Sequence, residues 1–323
     1  MGDFRRRAAI SLMAAAVLGL GMTTACSNSD SASDERTFDH EYGTTTVPSA
    51  PEHVVTLGYI DVDFALSLGV VPDLALSWVP AYEEAPWVTE QLGDQEITYV
   101  DDIDFDQIKE SKPDLILAIN NFDIDQSTYD ELSEIAPTIV QEKKYRDSVT
   151  KTPWNEQLDI TARALYRDEE GQKLADEVNA KFDEIHQEYP EFAGKTVAVD
   201  DPEGPGAHAV PEKGFNGREL IDALGFEVPE QEQREISQDD ISLFDADALV
   251  VINQSAEDLR ADRDFAGLGV VREGRTLYIN VDTDLGVAMV YSGPLALLYS
   301  ADIIAPELHK AFSGDAVADV WGT

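Results

Sequence analysis

The sequence predicts an α/β protein of two lobes joined by one long helix. Three observations carry the prediction. Residues 168–189 form a single amphipathic helical segment ended by Pro190, separate sets of short apolar strand runs alternate with helical runs on either side of it, and two local patterns recur across it. Strands that alternate with helices pair in parallel and are covered by those helices.

In the long helix, Asp168 reads as the N-cap, with Glu169 and Glu170 in the first turn, where the helix dipole favours negative charge. Leu174, Val178, Phe182, Ile185 and Tyr189 follow at spacings of three and four, so they share one face. At 1.5 Å per residue the segment spans about 33 Å, enough to act as a spine across a small domain. It takes residues 167–190, between an N-terminal lobe at 41–166 and a C-terminal lobe at 191–323 that ends in a closing helix.

In the first lobe, Val54-Val55-Thr56-Leu57-Gly58 reads as a buried strand with a glycine turn. A short helix follows, with Asp63 near its start and Gly69 as C-cap. Further strands fall at 73–77, 97–100, 115–119 and 138–140, with a helix at 127–135. Thr152 as N-cap and Pro153 at the first helical position open another helix, buried along Trp154, Leu158, Ala162 and Leu165. In the second lobe, strands are expected at 195–199, 208–210, 247–252 and 276–279, and a helix at 217–224 capped by Gly225. An apolar helical stretch at 293–312, broken at Pro306, closes the chain.

The recurring patterns are an acid six residues before a helix-ending glycine (Asp63 to Gly69, Glu219 to Gly225) and an apolar strand between Asp and Asn (114–120, 247–253). Both pairs straddle the long helix, which favours two similar lobes over one large sheet.

Residues 1–25 stand apart from the fold. Arg5, Arg6 and Arg7 precede an apolar run that ends in Thr23-Thr24-Ala25-Cys26, the order of an export signal with small residues at its end. Cys26, the one cysteine of the chain, is the expected lipidation site, and residues 26–40 the flexible tether. The reading is a signal peptide, Sec or twin-arginine, and a chain anchored by lipid to the outer face of the cell membrane. Net charge is −41 over 323 residues, and removing a signal with three arginines and Asp3 takes it to −43. Such an acidic chain is no partner for nucleic acid.

Catalytic patterns are missing. The sequence holds no Gly-x-Ser-x-Gly elbow and no P-loop, and Gly204-Pro205-Gly206 does not continue as a dinucleotide fingerprint. His40, His53, His186, His208 and His309 are scattered without metal-ligand spacing, and Asp102, Asp104 and Asp106 lack the glycine and closing Glu of a calcium loop. No enzyme activity, cofactor or direct metal site is expected. Aromatic residues are more telling. Tyr59, Trp78, Tyr82, Trp87, Tyr145 and Trp154 fall near strand ends, loops or helix starts of the first lobe, and Arg146 adjoins Tyr145. With Asn120 at a strand end and Tyr291, they make a candidate wall for a bulky ligand, since open parallel sheets bind at their carboxyl ends.

From about residue 37 onward the chain resembles the iron–siderophore substrate-binding lipoproteins of bacterial ABC importers, a class III periplasmic binding protein family. The resemblance rests on Val54-Val55-Thr56-Leu57-Gly58-Tyr59, Lys112-Pro113-Asp114-Leu115-Ile116, Ile135-Ala136-Pro137-Thr138, Thr152-Pro153-Trp154 and Tyr291-Ser292-Gly293-Pro294-Leu295, in that order. It implies two Rossmann-like lobes with an Fe(III)–siderophore complex in the cleft between them, and no catalysis. It also implies a monomer that delivers its ligand to an ABC permease, docking through one acid per lobe at the positions of Asp63 and Glu219. Cobalamin or haem is the alternative ligand within the same fold, and a secreted hydrolase-like enzyme a distant one.

Overall fold

The computed structural model describes residues 35–315 and 317, apart from 149–150, 203–205, 212–216 and 230–234. The expected signal peptide, Cys26 and the tether up to residue 34 lie outside the described residues. The end of the expected tether is structured: β1 (Arg36–His40) pairs antiparallel with β2 (Gly43–Val47), burying Phe38 and Val47 in the core of the first lobe.

After this hairpin, each strand of lobe 1 leads into a helix. β3 (Val54–Thr56) runs into α1 (Asp61–Ser67), β4 (Leu74–Leu76) into α2 (Pro86–Leu92), β5 (Thr98–Val100) into α3 (Phe105–Ser111), β6 (Leu115–Ala118) into α4 (Gln126–Ile135) and β7 (Thr138–Val140) into α5 (Lys143–Ser148). The five strands form one parallel sheet in the order β5-β4-β3-β6-β7. Asp104 N-caps α3, accepting the N–H groups of Asp106 and Gln107 at 2.9 and 3.1 Å, so the Asp102–Asp104–Asp106 alternation serves a helix start.

α6 (Trp154–Ala164) and α7 (Asp168–Glu188) lead to lobe 2. Pro153 is the N-cap of α6 and Arg167 that of α7, one residue later and one earlier than the sequence suggests. β8 (Val197–Asp200), α8 (Arg218–Ala223), β9 (Ala248–Ile252), α9 (Arg263–Gly267), α10 (Gly269–Arg272) and β10 (Thr276–Ile279) follow. The three strands are parallel in the order β10-β9-β8. The expected strand at 208–210 is only an isolated bridge, Ala209 to Glu235. Both echoed glycines, Gly69 and Gly225, adopt positive φ after α1 and α8, the conformation that glycine reaches without a Cβ penalty.

The chain ends in α11 (Asp284–Tyr291) and α12 (Pro294–Ser313). α12 runs through Pro306 without a break, contrary to expectation. An interior proline costs roughly 3 kcal/mol, and burial of Ile304, Ala305, Leu308 and Ala311 around it offsets that cost. The long helix is also not the sole link. α7 puts Leu174 in the core of lobe 1 and Val178, Phe182 and Ile185 in that of lobe 2. α12 does the same, with Ala296 in the first core and Leu297, Ala301 and Ile304 in the second, while Val287, Ala288 and Tyr291 of α11 sit in the first. Two helices therefore bridge the lobes, because the closing segment is apolar on more than one face and each lobe covers part of it.

Candidate ligand site and the lobe junction

The carboxyl edge of the lobe 1 sheet carries a linked row of side chains. Tyr59 follows β3, Trp78 follows β4, Asp123 follows β6, and Tyr145 and Arg146 lie in α5 after β7. The Trp78 indole donates to the Tyr59 carbonyl, and the Tyr59 hydroxyl donates to the Asp123 carboxylate. Burial and this acceptor push the Tyr59 phenol up to about 12, so it stays a donor at neutral pH. The Trp78 ring lies 5.6 Å from that of Tyr59 and 6.0 Å from that of Tyr291. Arg146 donates to the Phe122 carbonyl and faces Glu41 at 3.4 Å. Lys144 lies between Glu142 (3.0 Å) and Glu156 (2.7 Å), with its ammonium 4.6 Å from the centre of the Tyr145 ring. Trp78 is 42 % exposed, an unusual state for so large an apolar side chain, and it stands where open α/β sheets receive ligands.

The other expected wall residues lie deeper. Tyr82, Trp87, Asn120 and Tyr291 are buried, and Trp154 is half-buried between the two cores. Their polar ends find partners inside. Tyr82 stacks on Tyr291 with centroids 4.0 Å apart, and its hydroxyl and the Trp87 indole both donate to Asp63 Oδ1, at 3.1 and 2.9 Å. Asn120 Oδ1 accepts the Thr152 N–H (3.0 Å) and the Gln141 amide (3.3 Å), and its own amide donates to Gln157.

The two echoed acids also differ from expectation, for neither stands at an exposed helix start. Asp63, in the first turn of α1, points at Gly293, the N-cap of α12, and its Oδ2 has no hydrogen-bond partner. Desolvation pushes its pKa to about 6, opposed by the Trp87 and Tyr82 donors and by the Lys151 charge. Glu219, at the start of α8, is buried as well. Its Oε1 accepts the Trp154 N–H at 2.7 Å and its Oε2 faces the Lys151 ammonium at 3.2 Å. Burial raises its pKa, and Lys151 and the Trp154 N–H only partly offset that. Hydrogen bonds and Lys151 thus hold both acids in the lobe junction, buried in this structure.

Two residues of this junction escaped sequence reasoning. Asp61 is fully buried, accepting the Ile119 N–H and the Gln157 amide, each at 2.7 Å, and burial takes its pKa to about 6 against those donors. It ties the β3–α1 turn to the end of β6 and to α6, and a Cβ on Gly58 would overlap it. Lys151 is the second, and its only signal is a lysine beside a helix start in a chain poor in cations. Among the described residues, no group of three or more His, Cys, Asp or Glu is arranged to hold a metal ion.

This architecture is that of a solute receptor, with two parallel-sheet lobes and the strand ends of one lined by aromatic side chains. The sequence model of the periplasmic binding protein family matches residues 54–282, and the chain belongs to that family. Its members are binding proteins, not enzymes, and serve ABC transporters as carriers of small solutes. A periplasmic solute-binding protein from Mycobacterium smegmatis has a similar structure at 29 % identity (TM-score 0.77, covering 86 % of this chain and 99 % of that one). The Streptococcus pneumoniae iron-uptake protein PiaA in complex with ferrichrome is similar at 23 % (TM-score 0.72, 86 % and 99 %). Staphylococcus aureus SirA complexed with staphyloferrin B is similar at 20 % (TM-score 0.69, 85 % and 98 %). No curated protein sequence matches the chain significantly.

Proposed function

We propose that this protein captures a ferric siderophore outside the cell and delivers it to an ABC permease. The observation that carries the reading is the row at the lobe 1 edge, with Trp78 exposed beside Tyr59, Tyr59 bonded to Asp123, and Arg146 bonded to the carbonyl of the adjoining Phe122. Flat indole and phenol surfaces with polar tips suit a bulky chelate. The ferrichrome and staphyloferrin B complexes of similar fold support the ligand class. The charge of the row narrows it further. Arg146 and Lys144 are already held by Glu41, Glu142 and Glu156, and Asp123 adds another negative charge. A tris-catecholate complex, itself polyanionic, meets repulsion there, whereas an uncharged or cationic hydroxamate complex does not. Lipid anchoring through Cys26 keeps the receptor at its permease. Titration of tryptophan fluorescence with ferric hydroxamates, ferric catecholates, haem and cobalamin tests the reading. Quenching by the hydroxamates is expected, and quenching by haem or cobalamin alone would replace the ligand.

Asp63 and Glu219 we assign to the lobe junction instead of the permease contact, because each carboxylate is engaged inside the protein.

A further inference from the structure

His208 lies in the loop after β8 with its side chain 1 % exposed, yet both ring nitrogens face carboxylates. Nδ1 is 2.6 Å from Asp200 Oδ2, at the end of β8, and Nε2 is 3.4 Å from Asp262 Oδ2, at the start of α9. The ring stacks on Phe265 with centroids 5.1 Å apart, and Phe244 lies 5.8 Å away. Among the described residues, Asp200 and Asp262 are the titratable groups at its nitrogens, and Phe265 and Phe244 are the rings beside it. A neutral imidazole has one N–H, so it can donate to one of the two carboxylates, and with both carboxylates ionised the doubly protonated ring serves both. Each carboxylate meets a different ring nitrogen, and among the described residues no such cluster is arranged to hold a metal ion. The carboxylates are fixed in turn. Asp200 Oδ1 accepts the Ala209 N–H (2.9 Å), and Asp262 accepts the Gln238 amide (2.8 Å) and N-caps α9 through Phe265 N–H (2.9 Å).

We propose that His208 is a positioning residue for the lobe 2 side of the ligand cleft: its imidazolium fastens the loop after β8 to the start of α9, and loss of its proton unfastens them and weakens ligand capture. The clause about ligand capture rests on the proposed function, since loops at the carboxyl end of a parallel sheet are those that meet the ligand. Burial alone pulls the His208 pKa down, but the hydrogen bond and charge of Asp200, then those of Asp262, outweigh it and raise it above 6.5. A raised histidine pKa gives stability that is fully present below 6.5 and is lost as pH rises through the folded value. On the acid side the fastening fails when Asp200, whose own pKa burial raises, takes up a proton.

The test is the imidazole nitrogen and carbon resonances of His208 in the mature chain from pH 5 to 9.5, which need no ligand, with a short unstructured histidine peptide as reference. His208 is expected to carry both protons at pH 7 and to titrate above a histidine in a short unstructured peptide. Asp262→Asn keeps the helix cap but removes the charge, and it should lower the His208 titration midpoint. A neutral His208 at pH 7, or no change in Asp262→Asn, overturns the fastening. Ferrichrome affinity should then fall several-fold between pH 7 and 9.5 in the wild type and stay flat in His208→Gln. A confirmed imidazolium with pH-independent affinity overturns the role in the cleft, and if ferrichrome does not bind at all, the resonances still decide the fastening.

Discussion

The Asp63 carboxylate occupies the space that a side chain at Gly293 would need: a Cβ built on Gly293 overlaps Asp63 Oδ2. The contact joins α1 of lobe 1 to the start of α12, the second helix that bridges the lobes. It explains a glycine that its own backbone does not demand, since Gly293 has an ordinary φ of −74°. The positive end of the α12 dipole faces the carboxylate, which suits an acid without a partner for its second oxygen.

Gly293→Ala is therefore expected to destabilise the protein by about 1–3 kcal/mol, the usual cost of overpacking. The loss should shrink in Gly293→Ala combined with Asp63→Ala, which vacates the space. Urea unfolding of the four variants of the cycle checks this, and additive losses would show that the two residues do not interact.

Asp61 and Asp63 both have folded pKa values raised to about 6, chiefly by burial. A raised carboxyl pKa favours the protonated native state, so its contribution is full below about 3.8 and is lost as pH rises through about 6. Each can remove on the order of 2–3 kcal/mol over that interval. Thermal unfolding of the mature chain should show this fall between pH 4 and 6, on top of gains from exposed paired acids. Asp63→Asn should flatten it, and an unchanged profile in that variant would locate the pH dependence elsewhere.

The Lys151–Glu219 pair links the segment before α6 to α8 across the junction, with side chains only 4 % and 10 % exposed. Removing one member strands a buried charge, which typically costs 3–5 kcal/mol. Lys151→Met is expected to lose about that much, and Lys151→Met with Glu219→Gln to recover most of it. Reversing Asp63 and Glu219 to Lys should fail in folding before it fails in uptake. Folded, ligand-competent protein from that reversal would return the two acids to a docking role.

Trp78 and Tyr82 separate binding from folding. Trp78→Ala should leave the melting temperature nearly unchanged, because a half-exposed ring packs little, and weaken ligand binding tenfold or more. Tyr82→Phe removes a donor to buried Asp63 and should cost about 1–2 kcal/mol with little effect on affinity. Fluorescence titration and thermal unfolding of both variants check the pair, and equal affinity losses would put Tyr82 on the wall.

The sequence by itself determined the class of fold. Periodicity and end signals are local, so Leu174, Val178, Phe182 and Ile185 marked the long helix, and the runs at 54–57, 115–119 and 247–252 marked strands near their observed bounds. It also marked Asp63 and Glu219 as a pair, and Trp78 and Tyr59 as ligand candidates. Tertiary structure decided what these residues face. An acid near a helix start reads as exposed until Tyr82, Trp87 and Gly293 are folded around it, and a tryptophan reads alike in a core or on a wall. The second bridging helix and the His208 cluster stayed hidden for the same reason: Ala296 and Leu297 are neighbours in sequence but belong to different cores, and Asp200 and His208 meet Asp262 only when the end of β8 and the start of α9 come together.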